Sequence, residues 1–336
     1  MNNPHIKRKS VMKRVLIPVL INILFAVSLY SQQFPSYTQF TMNKFLINPA
    51  VAGIDGFTTV NLFAREEWVG FKGTPRTHAL SVDSRILGNS YILRNLAVRK
   101  NETEKTRSGR MSWGASIWSD LNGPIDKTVL NGTYGYHIDL GESQLSFGMS
   151  MLLYQLRIQD DQFIQSDDAV DPLIIEGDQS IWITDANFGI FYTARNYYAG
   201  YSTIQLFNSG AQFGEKGQGK YQLDRQHNII GGYRFNNGGI FEVEPAVLLK
   251  IPESGVTQFD LNIKCTYNSR YWAGLNYRTN SIMSIFGGIN YERYYFGYAF
   301  DYPFGNSIPN TYGSHEFTVS ARFGDTARRY KWLRSY

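Results

Sequence analysis

Five histidines are the first residues to weigh for chemistry: His5, His78, His137, His227 and His315. Imidazole titrates near neutrality and can act as a general base or metal ligand, but only with a partner group within reach. No HExxH, GxSxG or glycine-rich phosphate loop accompanies them. The simpler reading is polar lumen or rim positions, the sharper one an enzyme that assembles His, Asp and Ser from distant segments. We expect no enzyme and no cofactor. The acidic residues Asp160, Asp161, Asp167, Asp168, Asp171, Glu176 and Asp178 could supply oxygen ligands to calcium, yet their spacing does not follow the twelve-residue calcium loop. A solvated outer loop is expected there, and no metal site. The single Cys265 excludes an intramolecular disulfide and a thiolate cluster. It alternates with Phe259, Leu261, Ile263 and Tyr267, which suits a small apolar position facing outward. Arg65, Glu67, Trp68 and Phe71 are harder to dismiss. Inward Arg and Glu can cross a lumen as ion pairs and hold an N-terminal arm, and at this point structural locking and partner docking stay equally open.

These side chains need strands to position them. From Phe57 the pattern has period two, with Val60, Leu62 and Ala64 on one face and Asn61, Arg65 and Glu67 on the other, up to Trp68. Val69 to Gly73 supplies a turn, and Thr74 to Ser84 runs back with Pro75 near its start, where a missing N–H costs least. Ahead of this pair, Pro49 fixes its own φ and holds Asn48 out of the helical region, and Gly53 permits a tight bend, so an arm ends near Gly53. The same alternation recurs at 111–121, 130–138 and 145–153. It returns at roughly 181–193, 196–206, 225–235, 240–250, 257–267, 271–279, 281–290, 292–302 and 313–323. The tally is about fourteen strands, an even number as bacterial barrels require.

The N-terminus has Lys7, Arg8, Lys9, Lys13 and Arg14, then an apolar run from Val15 to Leu29, then Ser31. That is the grammar of a secretory signal, too short to span a membrane as a helix. Of the 33 basic side chains five lie within residues 1–31, where there is no acidic one, so basic and acidic residues beyond balance at 28 each. A nucleic-acid partner, which needs clustered cation excess, loses its support. A sandwich and a membrane barrel share this periodicity. The Gly, Ser, Asn and Tyr character of the second face, together with the signal, favours an all-β outer-membrane barrel whose small polar face turns inward and whose outward face meets lipid. Inward substitutions such as Ser146→Arg are then expected to be better tolerated than Leu145→Arg or Phe147→Arg.

With the N-terminus in the periplasm, the tight turns at 139–142, 195, 236–239, 268–270 and 291 fall on the periplasmic side, and the long segments 156–180, 206–224 and 303–312 on the outer side. The connection 85–110 disobeys, as a periplasmic insertion or an unread strand pair. The chain divides into a signal peptide (1–31), an arm or plug (32–56), a barrel (57–323) and a periplasmic tail (324–336).

Tyr37, Gln39, Asn43, the run Ile47-Asn48-Pro49-Ala50, Ala52, Gly53, Arg65, Trp68, Gly70, Phe71, Gly73, Pro75 and Ser81, with Ser314-His315-Glu316 before the last strand, resemble the PorP/SprF family of type IX secretion membrane proteins. Val51 and Thr74 depart from the family's habit. The resemblance covers the mature chain, densest at its two ends. It implies an outer-membrane accessory or anchor that helps a secreted cargo, often a large adhesin, reach or stay at the cell surface, in some members through the cargo's C-terminal domain. Secretion components and outer-membrane lipid would be its other partners, and gliding motility a setting. The resemblance marks Asn48, Pro49, Arg65, Glu67, Trp68, Gly70, Phe71, Pro75, His315 and Glu316 as partner-binding or lumen-locking candidates without giving each a role. A small-solute channel is the alternative.

Overall fold

The computed structural model describes residues 36–71, 73–86, 110–158, 179–213, 219–236, 239–279, 281–304 and 311–324. The expected signal, the acidic stretch 160–178 and all of the expected tail beyond Gly324 lie outside the described residues. The strands are Thr58–Glu66 (β1), Arg76–Ile86 (β2), Met111–Asn122 (β3), Ile125–Asp139 (β4), Ser143–Ile158 (β5), Gln179–Ala194 (β6), Tyr197–Ile204 (β7), Gly210–Phe213 (β8) and Gly219–Gln222 (β9). They continue with Gln226–Tyr233 (β10), Phe241–Pro252 (β11), Gln258–Tyr267 (β12), Tyr271–Arg278 (β13), Ile282–Tyr291 (β14), Tyr294–Pro303 (β15) and Ser314–Phe323 (β16). Fourteen form one closed antiparallel barrel, and β8 and β9 make a separate hairpin. β1 closes it, pairing with β2 on one side and with β16 on the other, from Thr58↔Phe323 to Glu66↔His315.

Alternation decides the faces. Leu62, Leu130, Met149, Leu275, Ile285 and Phe317 are exposed on the outer wall, where lipid would take the place of water, while Asn61, Thr133, Ser150, Asn276 and Glu316 between them are buried inside. Tyr267, Tyr271, Tyr291 and Tyr294 stand outward at one end and Tyr277 and Tyr302 at the other, as interfacial girdles do. Short turns gather at the first end, at Leu140–Glu142, Arg195–Asn196, Asn268–Arg270 and Glu292–Arg293, which marks that end as periplasmic. Ile86 of β2 pairs directly with Met111 of β3, so the barrel closes without a strand from residues 87–109. β5 and β6 pair over sixteen residues each, more than a tilted strand needs to cross a bilayer, and so rise past its outer face.

Three features depart from the sequence reading. β1 stops at Glu66, two residues before Trp68. The outer connection 206–224 contains the β8–β9 hairpin, whose Leu223 and Tyr221 pack on Val129, Leu152, Tyr154 and Ile183 inside the outer mouth. The inner wall is not uniformly small and polar either. Phe63, Phe191, Tyr198, Trp272, Phe286 and Leu248 all point inward and are buried. The reason is that the lumen holds protein: the chain ahead of β1 lies inside it and packs on these side chains.

Candidate functional site

Residues 36–56 fill the barrel. A short helix, Lys44–Ile47 (α1), and a 3-10 turn, Pro49–Val51, carry the chain down from the outer half to the periplasmic end, where β1 begins. Tyr37, Phe40, Phe45, Ile47, Ala50, Val51, Ala52 and Ile54 form one core cluster with the wall residues Phe63, Phe191, Tyr198, Ile230 and Leu248. Glycines make room for this descent. A Cβ on Gly148 would stand on the backbone of Pro49 and Ala50, one on Gly189 on the Asn48 amide, and one on Gly114 on the Phe45 ring.

The upper grip is ionic. Arg65 on β1 reaches Asp301 on β15 at 2.6 Å, Glu67 at 2.8 Å and Glu316 on β16 at 3.0 Å. Arg278 on β13 pairs with Asp260 on β12 at 2.6 Å and stands 3.6 Å from Asp301. The arm enters this network through its main chain: the N–H groups of Thr38 and Gln39 donate to the two oxygens of Glu316 at 2.8 and 2.9 Å. The Thr38 hydroxyl donates to Asp301 at 2.7 Å and accepts from Arg65 at 3.2 Å. All these groups are buried except Glu67, which is partly so. Bidentate, charge-assisted contacts of this kind are the strong ones.

Lower down, Asn48 is the hinge of the arm. Its amide donates to the carbonyls of Ile190 and Tyr201, which face each other across the β6–β7 pair, and its oxygen accepts from Ala50 at 2.9 Å, capping the turn that Pro49 opens. Ser202 donates to the Ile47 carbonyl at 2.7 Å, Asp83 accepts from the Gly53 N–H at 2.8 Å, and Arg85 donates to the Ile54 carbonyl at 3.2 Å. Gly53 has φ +61° and the backbone of Arg85 where a Cβ would be, so both conformation and space require glycine. Beside these, Lys44 lies 3.9 Å from the Tyr198 ring centre and 3.7 Å from Glu244, which also receives Lys264 at 2.8 Å.

The sequence candidates fall into three groups. Asn48, Pro49, Arg65, Glu67 and Glu316 meet at the arm. Trp68, Gly70, Phe71 and Pro75 sit on the outer loop between β1 and β2, which is zipped to the approach to β16 by bonds from Val69 to Gly313 and from Tyr312 to Val69. Trp68 is held there at φ +49°, uncommon for a large side chain, with its N–H donated to Ser314. His315 parts from its neighbour Glu316: its ring faces out and meets the Tyr298 hydroxyl at 2.7 Å. His78 and His227 also face out near the outer rim, and His137 is buried inside among Ser112, Ser146 and Gln144. Cys265 lies on the outward-facing parity of β12. Asp301, Arg278, Asp260, Glu244 and Lys264 were not singled out by sequence. The signal that could have found them is a charged residue at an inward position between outward apolar ones, as with Asp260 between Phe259 and Leu261.

Among solved structures the chain is similar to the outer membrane protein Omp33 of Acinetobacter baumannii, with 6% identity over 80% of this chain and 99% of that one and a TM-score of 0.39. It is similar also to a double mutant of the Rh. blastica porin (7%, 80% and 99%, 0.32) and to the beta domain of the Bordetella autotransporter Brka (8%, 80% and 99%, 0.36). Scores this low transfer nothing to this chain. No curated protein matches it. A family model described as type IX secretion system membrane protein PorP/SprF matches residues 29–321. The match runs from ahead of the arm to the closing strand, and the chain therefore belongs to the PorP/SprF family of type IX secretion membrane proteins, as a barrel of the outer membrane.

Proposed function

We propose that this barrel is an accessory or anchor of type IX secretion that helps one secreted, adhesin-like cargo reach or stay at the surface, engaging the cargo's C-terminal domain. It is not an enzyme in this reading, and the four described histidines sit apart on β2, β4, β10 and β16. The observation that carries the proposal is the lumen filled by residues 36–56, with Thr38, Gln39 and Phe40 fully buried. A solute channel needs a continuous polar path, and this interior is packed as a core. What remains available to a partner is the rim and the outer loops, where Phe71 and Tyr312 are exposed beside the strained Trp68.

The experiment is affinity purification of the full-length protein from its own outer membrane, with bilayer conductance measured on the same preparation. Recovery of a secreted protein at a fixed ratio, lost when that protein's C-terminal domain is removed, is the expected result, with no steady conductance. Steady single-channel currents without a co-purifying secreted chain would sink the proposal in favour of a channel.

A further inference from the structure

The wall is not paired to its full height. β6 pairs with β5 along its whole length, from Gln179↔Ile158 to Ala194↔Ser143, but with β7 only over 188–193. Just beyond that ladder the edge is finished off. The Leu206 N–H donates to the Ala186 carbonyl at 2.8 Å, and the Asp185 carboxylate accepts from the N–H groups of Ala186, Phe207 and Ser209 at 2.6, 3.0 and 2.9 Å. Further up, among the described residues, no strand pairs with β6 on that side. The β8–β9 hairpin does not fill the place, since its two strands pair only with each other and it packs through Leu223, Tyr221 and Ala211 into the cluster of the inward Ile181 and Ile183. Along a strand the N–H and C=O of every second residue point to the same side. The Ala186 carbonyl points toward β7's side, so the backbone groups of Thr184, Trp182 and Ser180 do as well. All three residues are exposed, Trp182 by 59%.

A tilted strand crosses a bilayer in about 9–11 residues, which from Ala194 brings β6 to the outer surface at Thr184. An open edge cannot stand in hydrocarbon, where nothing answers its backbone groups, and here it stands where water or a partner can. Such an edge is a template for another strand. From this we infer that the edge of β6 over residues 180–184 is a strand-addition site for an extended segment of the secreted cargo. That the segment is cargo rests on the secretion reading; the open edge does not. Donors and acceptors at strand spacing are matched by the main chain of a polypeptide, and a second copy of this barrel cannot supply it. To bring the two edges face to face, the copy must turn half a revolution about the membrane normal, so the strands would cross at twice their tilt, about 70–90°, and form no ladder. A chain arriving from outside carries no such constraint. Its residue beside Trp182 would stand outward against the indole, which favours an aromatic or β-branched side chain there.

The test places photoreactive benzoylphenylalanine at position 182 of the full chain, in its own secreting cells, and scores only barrels with the mobility shift of the closed form. Light is expected to join it to the same secreted chain that co-purifies with the wild type. Adding Thr184→Pro removes one N–H from the open edge and none from the β5 ladder, a change that an edge strand accepts. It should lower the adduct roughly tenfold or more, as a lost hydrogen bond with its partner left unpaired would, and Thr184→Val, which keeps the N–H, should restore it. If the Thr184→Pro chain does not close, Ser180→Pro takes its place, with Ser180→Val as the restoring change. Closed barrels that give no adduct, an adduct only with a second copy of this chain, or an adduct indifferent to proline would overturn the inference. Co-purification of a secreted chain without the adduct sinks the edge alone and leaves the secretion reading standing, whereas loss of both sinks both.

Discussion

Arg65 has three carboxylates within 3.0 Å and almost no solvent to screen them, so its removal does more than delete contacts. Arg65→Met leaves Asp301 and Glu316 close together in a buried site, and breaking a buried network by one partner costs about 3–5 kcal/mol. We expect the urea midpoint of the closed form to fall accordingly. Glu316→Gln should cost less, about 1–3 kcal/mol, because one amide oxygen still accepts where two did. Glycines give a cleaner contrast. Gly148→Ala pushes a methyl into the backbone of Pro49 and Ala50, an overpacking worth about 1–3 kcal/mol, whereas Gly132→Ala on the outer wall meets nothing within 4 Å. Equal midpoints for the two alanine variants would mean that the arm does not lie against β5. At this scale the sequence made Arg65 and Glu67 visible as a pair on one strand. It could not show Asp301, which lies 236 positions away, because nothing local encodes that proximity.

The strands were legible because lipid outside and a packed interior enforce period two over eight or more residues. β8 and β9 were not, since four residues each give the alternation no room to declare itself, and their stability comes from Leu223 and Tyr221 docking in the mouth. The inner parity was read correctly and its environment was not. Ser146 is fully buried and bonded to His137 and Gln144, so Ser146→Arg does not project into water. The expectation that it is better tolerated than Leu145→Arg is therefore revised: both should impair assembly, by different routes. Leu145→Arg places a charge toward lipid, worth about 2–4 kcal/mol if it sits near the midplane, and should lower the fraction inserted. Ser146→Arg should insert and then fail to seat the arm, which limited proteolysis around residues 53–56 would report. Normal protection of that segment in the Ser146→Arg barrel would contradict the packing described here.

Viewed whole, the molecule has its largest apolar cluster inside a membrane barrel, half of it contributed by the arm. Deleting residues 34–48 takes away Tyr37, Phe40, Phe45 and Ile47 and leaves Phe63, Phe191, Tyr198 and Leu248 facing an empty bore. Losing even one buried Phe costs about 3–5 kcal/mol. The packing argues that the strands do not close without the arm. We expect the deletion to abolish the heat-modifiable closed form in outer-membrane fractions, and a normal yield of closed barrel would show the arm to be an accessory. Legible from sequence were the barrel, its strand number and the existence of an arm. Hidden was the arm's role as core, because apolar residues in a short irregular stretch carry no period that says what they pack against.

The clamp on the arm also dictates an order of events. Thr38 is bonded to Glu316 across 278 positions of sequence, and both carboxylates that hold it belong to β15 and β16, the last strands to be synthesised. Contacts of such separation form late. The arm precedes every strand yet lacks the two carboxylates that receive Thr38 until the final hairpin arrives, and the β1–β16 seam must then close with the arm already enclosed. Seating of Thr38 thus waits on that hairpin: a barrel one hairpin short has an open seam and lacks both carboxylates that receive Thr38.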